Sequence, residues 1–431
     1  MDPRKVFKRY DIRGEYPREI DDSFSEKIGR ATGTFALNKG VNKVIVSRDN
    51  RESSKKAKKA LLEGLRYTGV NIIDIGEGPT DRLAMGAKMH GAIGVQVTAS
   101  HLSWDKTGFK MVYKEGNGFS NDDMDKIKEI FLEKDFVDRG ESFEIDNSFE
   151  FDETYEEELL DYLGDKKGGN RKVVIECCRG TAKRFAPKIF EKLGFKVIEV
   201  EKEDVDPYPR KSNRKFVEEK VKESGAILGI GFDPDADRVY IIHPEKGWID
   251  GNHVIYCLIK MTEAEKVALS VDTSYIVEET GVDIRYSRVG DIFVSELGLE
   301  MEADILGEPN GHYALTDFCW YNSGIMVGAY IANNEEEFSN ILEEIPENYT
   351  ANRDLKTTGK AAKMRKMEKA VKHVAKNFNV LNNIDGIKFE GEGFTALIRS
   401  SGTSNKIRIT VNGGEKSRVE EISDIFYKLL S

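Results

Sequence analysis

Residues 43–75, KVIVSRDNRESSKKAKKALLEGLRYTGVNIIDI, spell out one complete structural unit. The β-branched run KVIVS predicts a buried strand over residues 43–47, and the lysine-rich stretch after it predicts a helix over residues 53–67. Gly69 stands where a helix C-cap is expected, and VNIIDI predicts a second strand over residues 70–75. A strand, a helix and a strand at this spacing are typical of a βαβ unit in a mainly parallel sheet.

The same pattern returns twice further along the chain. KVVIE predicts a strand over residues 172–176, a helix follows over residues 181–193, and FKVIEV predicts the partner strand over residues 195–200. A looser copy runs from Val267 to Tyr286, with a short helix between its two strands. Three copies of one unit predict three similar α/β domains.

The C-terminal part has a different order of predicted helices and strands. A lysine-rich helix is predicted over residues 359–378, two strands surround the loop in FTALIRSSGTSNKIRITV, and a last helix covers residues 416–430. This pattern predicts a smaller α+β domain. The acidic stretches 143–153 and 343–354 lack periodicity and are predicted linkers. The predicted domains are residues 1–147, 148–243, 244–347 and 348–431.

Composition narrows the class of protein. The chain has 431 residues, of which 39% are hydrophobic and 33% charged, as in a globular protein. A net charge of -11 without a long basic run argues against nucleic acid as a partner. The charged N-terminus and the lack of an apolar run of about 20 residues predict no signal peptide and no membrane span. Four cysteines without a C-x-x-C pair indicate a reducing compartment, and a cytoplasmic location is expected.

Residues 226–242, AILGIGFDPDADRVYII, place three carboxylates at alternate positions between two apolar strands. Asp233, Asp235 and Asp237 can converge only if the backbone curls into a loop. Their mutual repulsion then calls for a cation, and a hard divalent ion such as Mg²⁺ suits carboxylate oxygens. The alternative is a solvated acidic turn.

Two other known motifs also place closely spaced carboxylates in a loop. An EF-hand needs glycine at its sixth position and glutamate at its twelfth, where this chain has Arg238 and Pro244, so that motif fails. A phosphatase that forms an aspartyl phosphate also places D-x-D after a strand, with the first aspartate, here Asp233, as the nucleophile. The local pattern leaves this second motif open.

Three further segments carry polar side chains in loops. VTASHLSWDKTGFK, residues 97–110, sets Ser100 beside His101, and Lys110 follows; Ser100 is either a nucleophile or an ordinary loop serine. ILGEPNGHYAL, residues 305–315, carries a carboxylate, an amide and an imidazole that could bind a polyhydroxyl ligand, although Pro-Asn-Gly is also ordinary turn chemistry. IRSSGTSNKIRI, residues 398–409, interleaves hydroxyls with basic residues, which favours a phosphate site over a plain hairpin turn.

Together with FKRYDIRGEYP at residues 7–17, which alone is compatible with a surface turn, these segments resemble the α-D-phosphohexomutase superfamily. Members of that family interconvert sugar 1-phosphates and 6-phosphates. The family patterns Y-D-I-R-G, T-A-S-H-N-P with N-G-x-K, D-x-D-x-D-R, G-E-x-S-G-H and R-x-S-G-T-E-P resemble, in the same order, residues 10–14, 98–110, 233–238, 307–312 and 399–403.

The resemblance implies four domains around a central cleft, of which three are related α/β domains with mixed sheets. It also implies that the protein is an enzyme, an intramolecular phosphotransferase of the isomerase class. It implies that a phosphoryl group is carried by Ser100 and that one Mg²⁺ per active site is bound by Ser100, Asp233, Asp235 and Asp237. It implies further catalytic groups at Arg13, His101, Lys110 and Arg238. The substrate-binding residues that it implies are Tyr10, Glu308, Asn310, His312, Arg399, Ser401, Gly402, Thr403 and Arg408.

The resemblance also implies a phosphosugar as the small-molecule partner and a sugar bisphosphate as activator. Mannose or glucose phosphates are the expected substrates; the alternatives are a phosphoglucosamine mutase and a non-catalytic phosphosugar-binding protein. Neither nucleic acid nor a membrane is an expected partner, and the chain is either a monomer or a homo-oligomer. The chain departs from the family pattern at Leu102-Ser103 (usually Asn-Pro), Thr107 (Asn), Asn310 (Ser) and Ser404-Asn405 (Glu-Pro).

Overall fold

The structure is a computed structural model, and it describes residues 2–8, 11–140, 142–202, 211–401 and 405–431. These residues fall into two compact units. The first unit consists of residues 1–249 and 310–336, and the second of residues 250–309 and 337–431. The four domain boundaries expected from the sequence are finer than this division and stay predictions.

The first sheet belongs to the first unit. Its strands are β1 (Ile12–Glu15), β2 (Lys43–Arg48), β3 (Asn71–Glu77), β4 (Ile93–Val97), β5 (Lys106–Val112) and β6 (Glu144–Asp146). The helices of this part are α1 (Asp22–Asn38), α2 (Glu52–Thr68), α3 (Thr80–His90) and α4 (Asn121–Glu133). The strand order is β1-β5-β4-β2-β3-β6, in which β5 alone is antiparallel to its neighbours. The βαβ unit predicted over residues 43–75 is confirmed.

Two details of the sequence prediction are wrong in this unit. Residues 143–153 are not a linker: β6 pairs with the open edge of β3, and α5 (Ser148–Leu163) begins directly afterwards. The helix predicted over residues 181–193 is a 3-10 turn, Thr181–Arg184, followed by α6 (Ala186–Lys192). Pro187 explains this break, because proline is tolerated in the first turn of a helix but lacks the amide hydrogen that a helix continuing from residue 181 would need there.

The second sheet completes this part of the chain. It contains β7 (Lys172–Glu176), β8 (Lys196–Val200), β9 (Leu228–Phe232), β10 (Val239–His243) and β11 (Gly247–Trp248), with α7 (Lys211–Ser224) between β8 and β9. The order is β11-β10-β9-β7-β8, parallel from β9 to β8 and antiparallel from β9 to β11. The sheet is therefore mixed, as predicted, and the acidic loop joins its antiparallel pair β9 and β10.

The second unit begins with a third α/β segment. It contains α8 (Gly251–Met261), β12 (Lys266–Ser270), a 3-10 turn over Tyr275–Thr280, β13 (Asp283–Ser287), α9 (Asp291–Met301) and β14 (Ile305–Glu308). Both β13 and β14 run parallel to β12. The chain continues in the first unit with β15 (His312–Leu315) and α10 (Gly324–Asn333), and α11 (Glu335–Glu344) follows.

The C-terminal part of the second unit is an antiparallel sheet with two helices. Its elements are β16 (Tyr349–Lys356), α12 (Lys360–Asn377), β17 (Asn379–Asn382), β18 (Ile387–Gly391), β19 (Phe394–Ser400), β20 (Lys406–Gly413) and α13 (Lys416–Leu430). The strand order is β16-β20-β19-β18-β17. Its apolar core includes Phe389, Ile398, Ile409 and Phe426. The smaller α+β domain predicted from the sequence is confirmed.

The cysteines are interior residues. Cys177, Cys178, Cys257 and Cys319 are buried and form no disulfide. Burial raises the pKa of each thiol, so none of them is activated as a nucleophile. Among the residues that the structure describes, no helix has both the length and the apolar character that a membrane span requires.

The packing of α1 against α2 leads to a stability prediction. A Cβ added at Gly64 would lie 1.9 Å from the carbonyl oxygen of Glu26, and neither helix backbone can retreat without loss of packing. We expect Gly64→Ala to lower the free energy of unfolding by about 2 kcal/mol, because overpacking outweighs the gain in helix propensity. Urea denaturation measures this, with exposed Lys59→Ala on the same helix as the control, for which we expect a change within about 0.5 kcal/mol. An unchanged midpoint for Gly64→Ala would contradict this close crossing.

Candidate active site

Ser100 lies in the loop between β4 and β5. Its backbone is in the left-handed region (φ 49°), a conformation that costs on the order of 1–3 kcal/mol and persists only where the surroundings impose it. The residue is 1% exposed. Its amide donates to Thr98 Oγ1 over 2.8 Å, and its hydroxyl lies 3.2 Å from Asp233 Oδ2. The loop therefore directs the Ser100 hydroxyl at the acidic loop.

The acidic loop brings its three carboxylates together. The loop curls at Ala236, which has a positive φ of 56°, and Asp233, Asp235 and Asp237 are fully buried. Ligand oxygens of all three lie within 4.8 Å of one another. Burial raises the pKa of Asp233, and the neighbouring carboxylates of Asp237 and Asp235 raise it further. This arrangement confirms the predicted curled loop and requires nearby positive charge.

Lys110 supplies part of that charge. Its Nζ, on β5, donates to Asp235 Oδ2 over 2.7 Å and also to Asp237 Oδ2. Burial acts to lower the pKa of Lys110, but the two carboxylates outweigh it and hold that pKa well above its ordinary value. The lysine is therefore a permanent cation of the site.

The same loop fits a divalent cation. Asp235 Oδ1 is buried and has no hydrogen-bond partner among the described residues, which leaves a hard oxygen donor for an ion. Asp233 Oδ2 faces the Ser100 hydroxyl, so an ion on these carboxylates would adjoin whatever group that hydroxyl carries. The described residues thus include a possible acidic metal-binding triad.

His101, Arg13 and Arg238 surround the serine. His101 Nδ1 lies 3.3 Å from Ser100 Oγ. Burial lowers the pKa of His101, and Arg238 and Arg13 lower it further, so its ring is neutral. Arg13 pairs with Asp11 at 2.6 Å, and Arg238 Nε donates to His312 Nε2 over 2.8 Å. All three residues belong to the first unit, and their part in phosphoryl transfer stays a prediction.

His312 belongs to this same cluster. Its Nε2 lies 3.4 Å from Asp237 Oδ1, and its amide donates to Asn310 Oδ1 over 3.2 Å. Gly311, between them, has φ 105°, and a Cβ there would lie 2.9 Å from the Val239 carbonyl. The turn therefore needs glycine at this position to bring His312 against the acidic loop.

The second unit contains a separate polar cluster around Asp272. Burial raises the pKa of Asp272, although Arg399 acts to lower it, and Glu308 raises it further. Glu308, at the end of β14, accepts a hydrogen bond of 2.8 Å from the Gly290 amide. Arg399 on β19 faces Arg408 on β20 in the strand register. Glu308, Arg399 and Arg408 therefore act electrostatically on one buried carboxyl.

The phosphate loop predicted between β19 and β20 is described in part. Ser401 donates its amide to the Lys406 carbonyl over 2.9 Å, and its own carbonyl accepts from Lys363 Nζ over 2.9 Å. Arg408 pairs with Asp354 at 3.0 Å. The predicted site residues Tyr10, Gly402 and Thr403 lie outside the described residues.

Sequence reasoning missed three residues, two beside the serine-bearing loop and one in the separate polar cluster. Asp49 and Arg51 follow β2, and Arg51 donates to the carbonyls of the serine-bearing loop. Their signal was an aspartate and an arginine directly after a predicted parallel strand, where functional groups of α/β proteins gather. Asp272 is likewise a charged residue just after a predicted strand, β12.

A buried serine that faces a carboxylate cluster, with basic groups around it, has the features of a phosphoryl-transfer site in an α/β enzyme. Models of the family described as phosphoglucomutase/phosphomannomutase match residues 4–138 (alpha/beta/alpha domain I), 150–247 (domain II) and 250–349 (domain III). The chain belongs to the α-D-phosphohexomutase superfamily. It is a phosphohexomutase, an enzyme of phosphotransferase and isomerase type.

Known proteins similar to this chain align with it over nearly its whole length. A probable phosphoglucosamine mutase of Methanobrevibacter smithii is 28% identical over 449 residues, covering 100% of this chain and 99% of that protein. A phosphoglucomutase/phosphomannomutase of Thermococcus kodakarensis is 28% identical, covering 99% and 98%. The crystal structure of a phosphoglucomutase/phosphomannomutase family protein from Burkholderia thailandensis has a TM-score of 0.87 at 24% identity, covering 99% of this chain and 97% of that one. That structure supports the fold.

Proposed function

We propose that the enzyme interconverts hexose 1-phosphates and 6-phosphates, with mannose or glucose as the sugar, through a phosphoserine at residue 100 and a bisphosphorylated sugar. The observation that carries this proposal is the Ser100 hydroxyl 3.2 Å from Asp233 Oδ2 in a buried, lysine-bridged carboxylate loop. A serine in that setting suits a phosphoryl group balanced by cations better than it suits acyl transfer.

Mg²⁺ is the proposed metal, one ion held by the phosphoryl group of Ser100 with Asp233, Asp235 and Asp237. When bound, it would neutralise charge on the phosphoryl oxygens. The protein's own residues do the rest: Ser100 carries the phosphoryl group, and the permanent cation of Lys110 offsets its charge. The neutral ring of His101 lies within 3.3 Å of the serine oxygen and exchanges a proton there.

The remaining residues of the proposed site bind the substrate. Arg13 and Arg238 stabilise the transferring phosphoryl group, while the second phosphate of the sugar is bound by Arg399, Ser401, Gly402, Thr403 and Arg408. The sugar itself is held by Tyr10, Glu308, Asn310 and His312. A sugar bisphosphate is the proposed activator because it supplies the first phosphoryl group. The oligomeric state and a cytoplasmic location stay predictions.

Glucosamine phosphate is the second candidate substrate, and one observation favours it. The Methanobrevibacter smithii relative is named a probable phosphoglucosamine mutase. Glucosamine phosphate therefore belongs in any substrate panel.

The test is a panel of hexose 1-phosphates incubated with purified enzyme, MgCl₂ and a trace of glucose 1,6-bisphosphate. We expect mannose 1-phosphate or glucose 1-phosphate to be converted to the 6-phosphate, and we expect activity to fall when EDTA removes the metal. Preference for glucosamine 1-phosphate would establish the second candidate. Binding of all three sugar phosphates without turnover would contradict both candidate functions and would support a non-catalytic phosphosugar-binding protein.

A further inference from the structure

Arg51 contacts the loop that carries Ser100, residues 98–106, here called the serine loop. Its guanidinium donates to the backbone carbonyls of Ser100, of Leu102 over 2.7 Å and of Ser103 over 2.6 Å. The Arg51 side chain is 1% exposed. Because the donors of a guanidinium have fixed directions, one planar group holds three carbonyls of the serine loop in fixed relative positions.

Asp49 extends this contact to the amide of Ser100. One of its oxygens accepts from Arg51 Nε over 3.0 Å and from Thr98 Oγ1 over 2.7 Å. Thr98 Oγ1 in turn accepts from the Ser100 amide over 2.8 Å. Both backbone polar groups of Ser100 are therefore tied to the Arg51–Asp49 pair, its carbonyl directly and its amide through Thr98.

The ends of the serine loop are tied to neighbouring strands, by the Thr98 amide to the Gly108 carbonyl over 3.0 Å and by the Tyr16 amide to the Asp105 carbonyl over 3.0 Å. The Leu102 amide donates to the Ala99 carbonyl over 3.1 Å, and the Lys106 amide donates to the Ser103 carbonyl over 3.0 Å. Leu102 and Ser103 offer neither the fixed φ of a proline nor the bracing amide of an asparagine. The carbonyls of both residues accept hydrogen bonds from Arg51.

We propose that Arg51, oriented by Asp49, is the positioning residue that fixes Ser100 for phosphoryl transfer and replaces the bracing that Asn-Pro would give. This inference rests on the proposed function. In one turnover the phosphoserine gives its phosphoryl group to one sugar hydroxyl, and the freed Ser100 hydroxyl then takes the phosphoryl group from the other sugar oxygen. Both transfers need in-line geometry at Ser100, and an error of about 1 Å can slow such a step about 100-fold.

Two variants test the proposal. Arg51→Lys keeps a cation but loses the planar fork, and Asp49→Asn keeps an acceptor for Thr98 but loses the charge that orients Arg51. We expect kcat with glucose 1-phosphate, per phosphorylated active site, to fall about 100-fold in Arg51→Lys and less in Asp49→Asn. KM should stay within about threefold, since no substrate contact is removed. Arg66→Lys, near the C-terminal end of α2 where Arg66 pairs with Glu63 and Glu144, should match the wild type.

A second readout separates positioning from folding. After Ser100 is phosphorylated with glucose 1,6-bisphosphate, intact mass gives the lifetime of the phosphoserine in water and the share of phosphoryl groups passed to sugar. We expect that share to fall in both variants. A merely structural role would lower the melting temperature while kcat per phosphorylated site stayed at the wild-type value, and this would overturn the proposal.

Failure of the proposed function would look different. In that case the wild-type enzyme itself would show no turnover and no phosphoserine, and the inference would fall with it. Wild-type activity with unchanged kcat in the two variants would overturn the inference alone. If Arg51→Lys does not fold, Asp49→Asn decides, because its carbonyl oxygen still accepts from Thr98.

Discussion

Ser100→Ala is expected to lose mutase activity by about 10⁴-fold or more, because the covalent carrier of the phosphoryl group is gone and the remaining groups cannot replace it. The fold should persist, since the Ser100 hydroxyl makes only contacts of 3.2 Å to Asp233 and 3.3 Å to His101. The rate of conversion of glucose 1-phosphate to glucose 6-phosphate measures the loss, and circular dichroism checks the fold.

Ser103→Ala is the matched control. Ser103 lies in the same loop and is exposed, and within the part of the chain that the structure describes its hydroxyl bonds only to Asp105. Wild type and Ser103→Ala should gain the mass of one phosphate after incubation with glucose 1,6-bisphosphate, and Ser100→Ala should not. If phosphate release survived Ser100→Ala but disappeared in Asp233→Asn, the aspartyl-phosphate alternative would be correct and the phosphoserine mechanism wrong.

A strand could be predicted where its residues form a buried apolar run and a residue typical of a turn or helix cap lies nearby. The strand predicted over residues 43–47 is β2 within one residue, and Gly69 has the φ of 77° that a left-handed C-cap requires. The edge strand β6 could not be predicted in this way. Its three exposed, mostly acidic residues carry no strand signal of their own, and they form a strand because the edge of β3 offers hydrogen bonds.

The candidate site was predictable from motifs that lie far apart in the sequence. The structure brings Ser100, Lys110 and the three aspartates of the acidic loop into direct contact. What the sequence does not reveal is which groups hold the serine loop in place. Arg51 acts on backbone carbonyls, and carbonyls are present at every residue, so no side-chain pattern indicates such a contact.

Lys110→Met gives the largest stability effect that we expect. In metal-free buffer the free energy of unfolding should fall by about 3–5 kcal/mol, because the buried carboxylates of Asp235 and Asp237 lose the cation that bridges them. Urea denaturation in EDTA measures this. Lys106→Met, on the same strand but paired at 3.4 Å with a half-exposed Glu15, should change the value by less than about 1 kcal/mol.

Magnesium should then rescue stability but not activity. An ion bound to the carboxylates supplies the missing charge, and a ligand at 100 times its Kd stabilises the folded state by about 2.7 kcal/mol. The stabilisation by MgCl₂ should therefore be larger in Lys110→Met than in the wild type. Mutase activity should stay about 100-fold low, since the lysine also offsets charge on the phosphoryl group. Equal stabilisation of both proteins by MgCl₂ would mean that the ion does not bind at the carboxylates that Lys110 bridges, and would place the metal elsewhere.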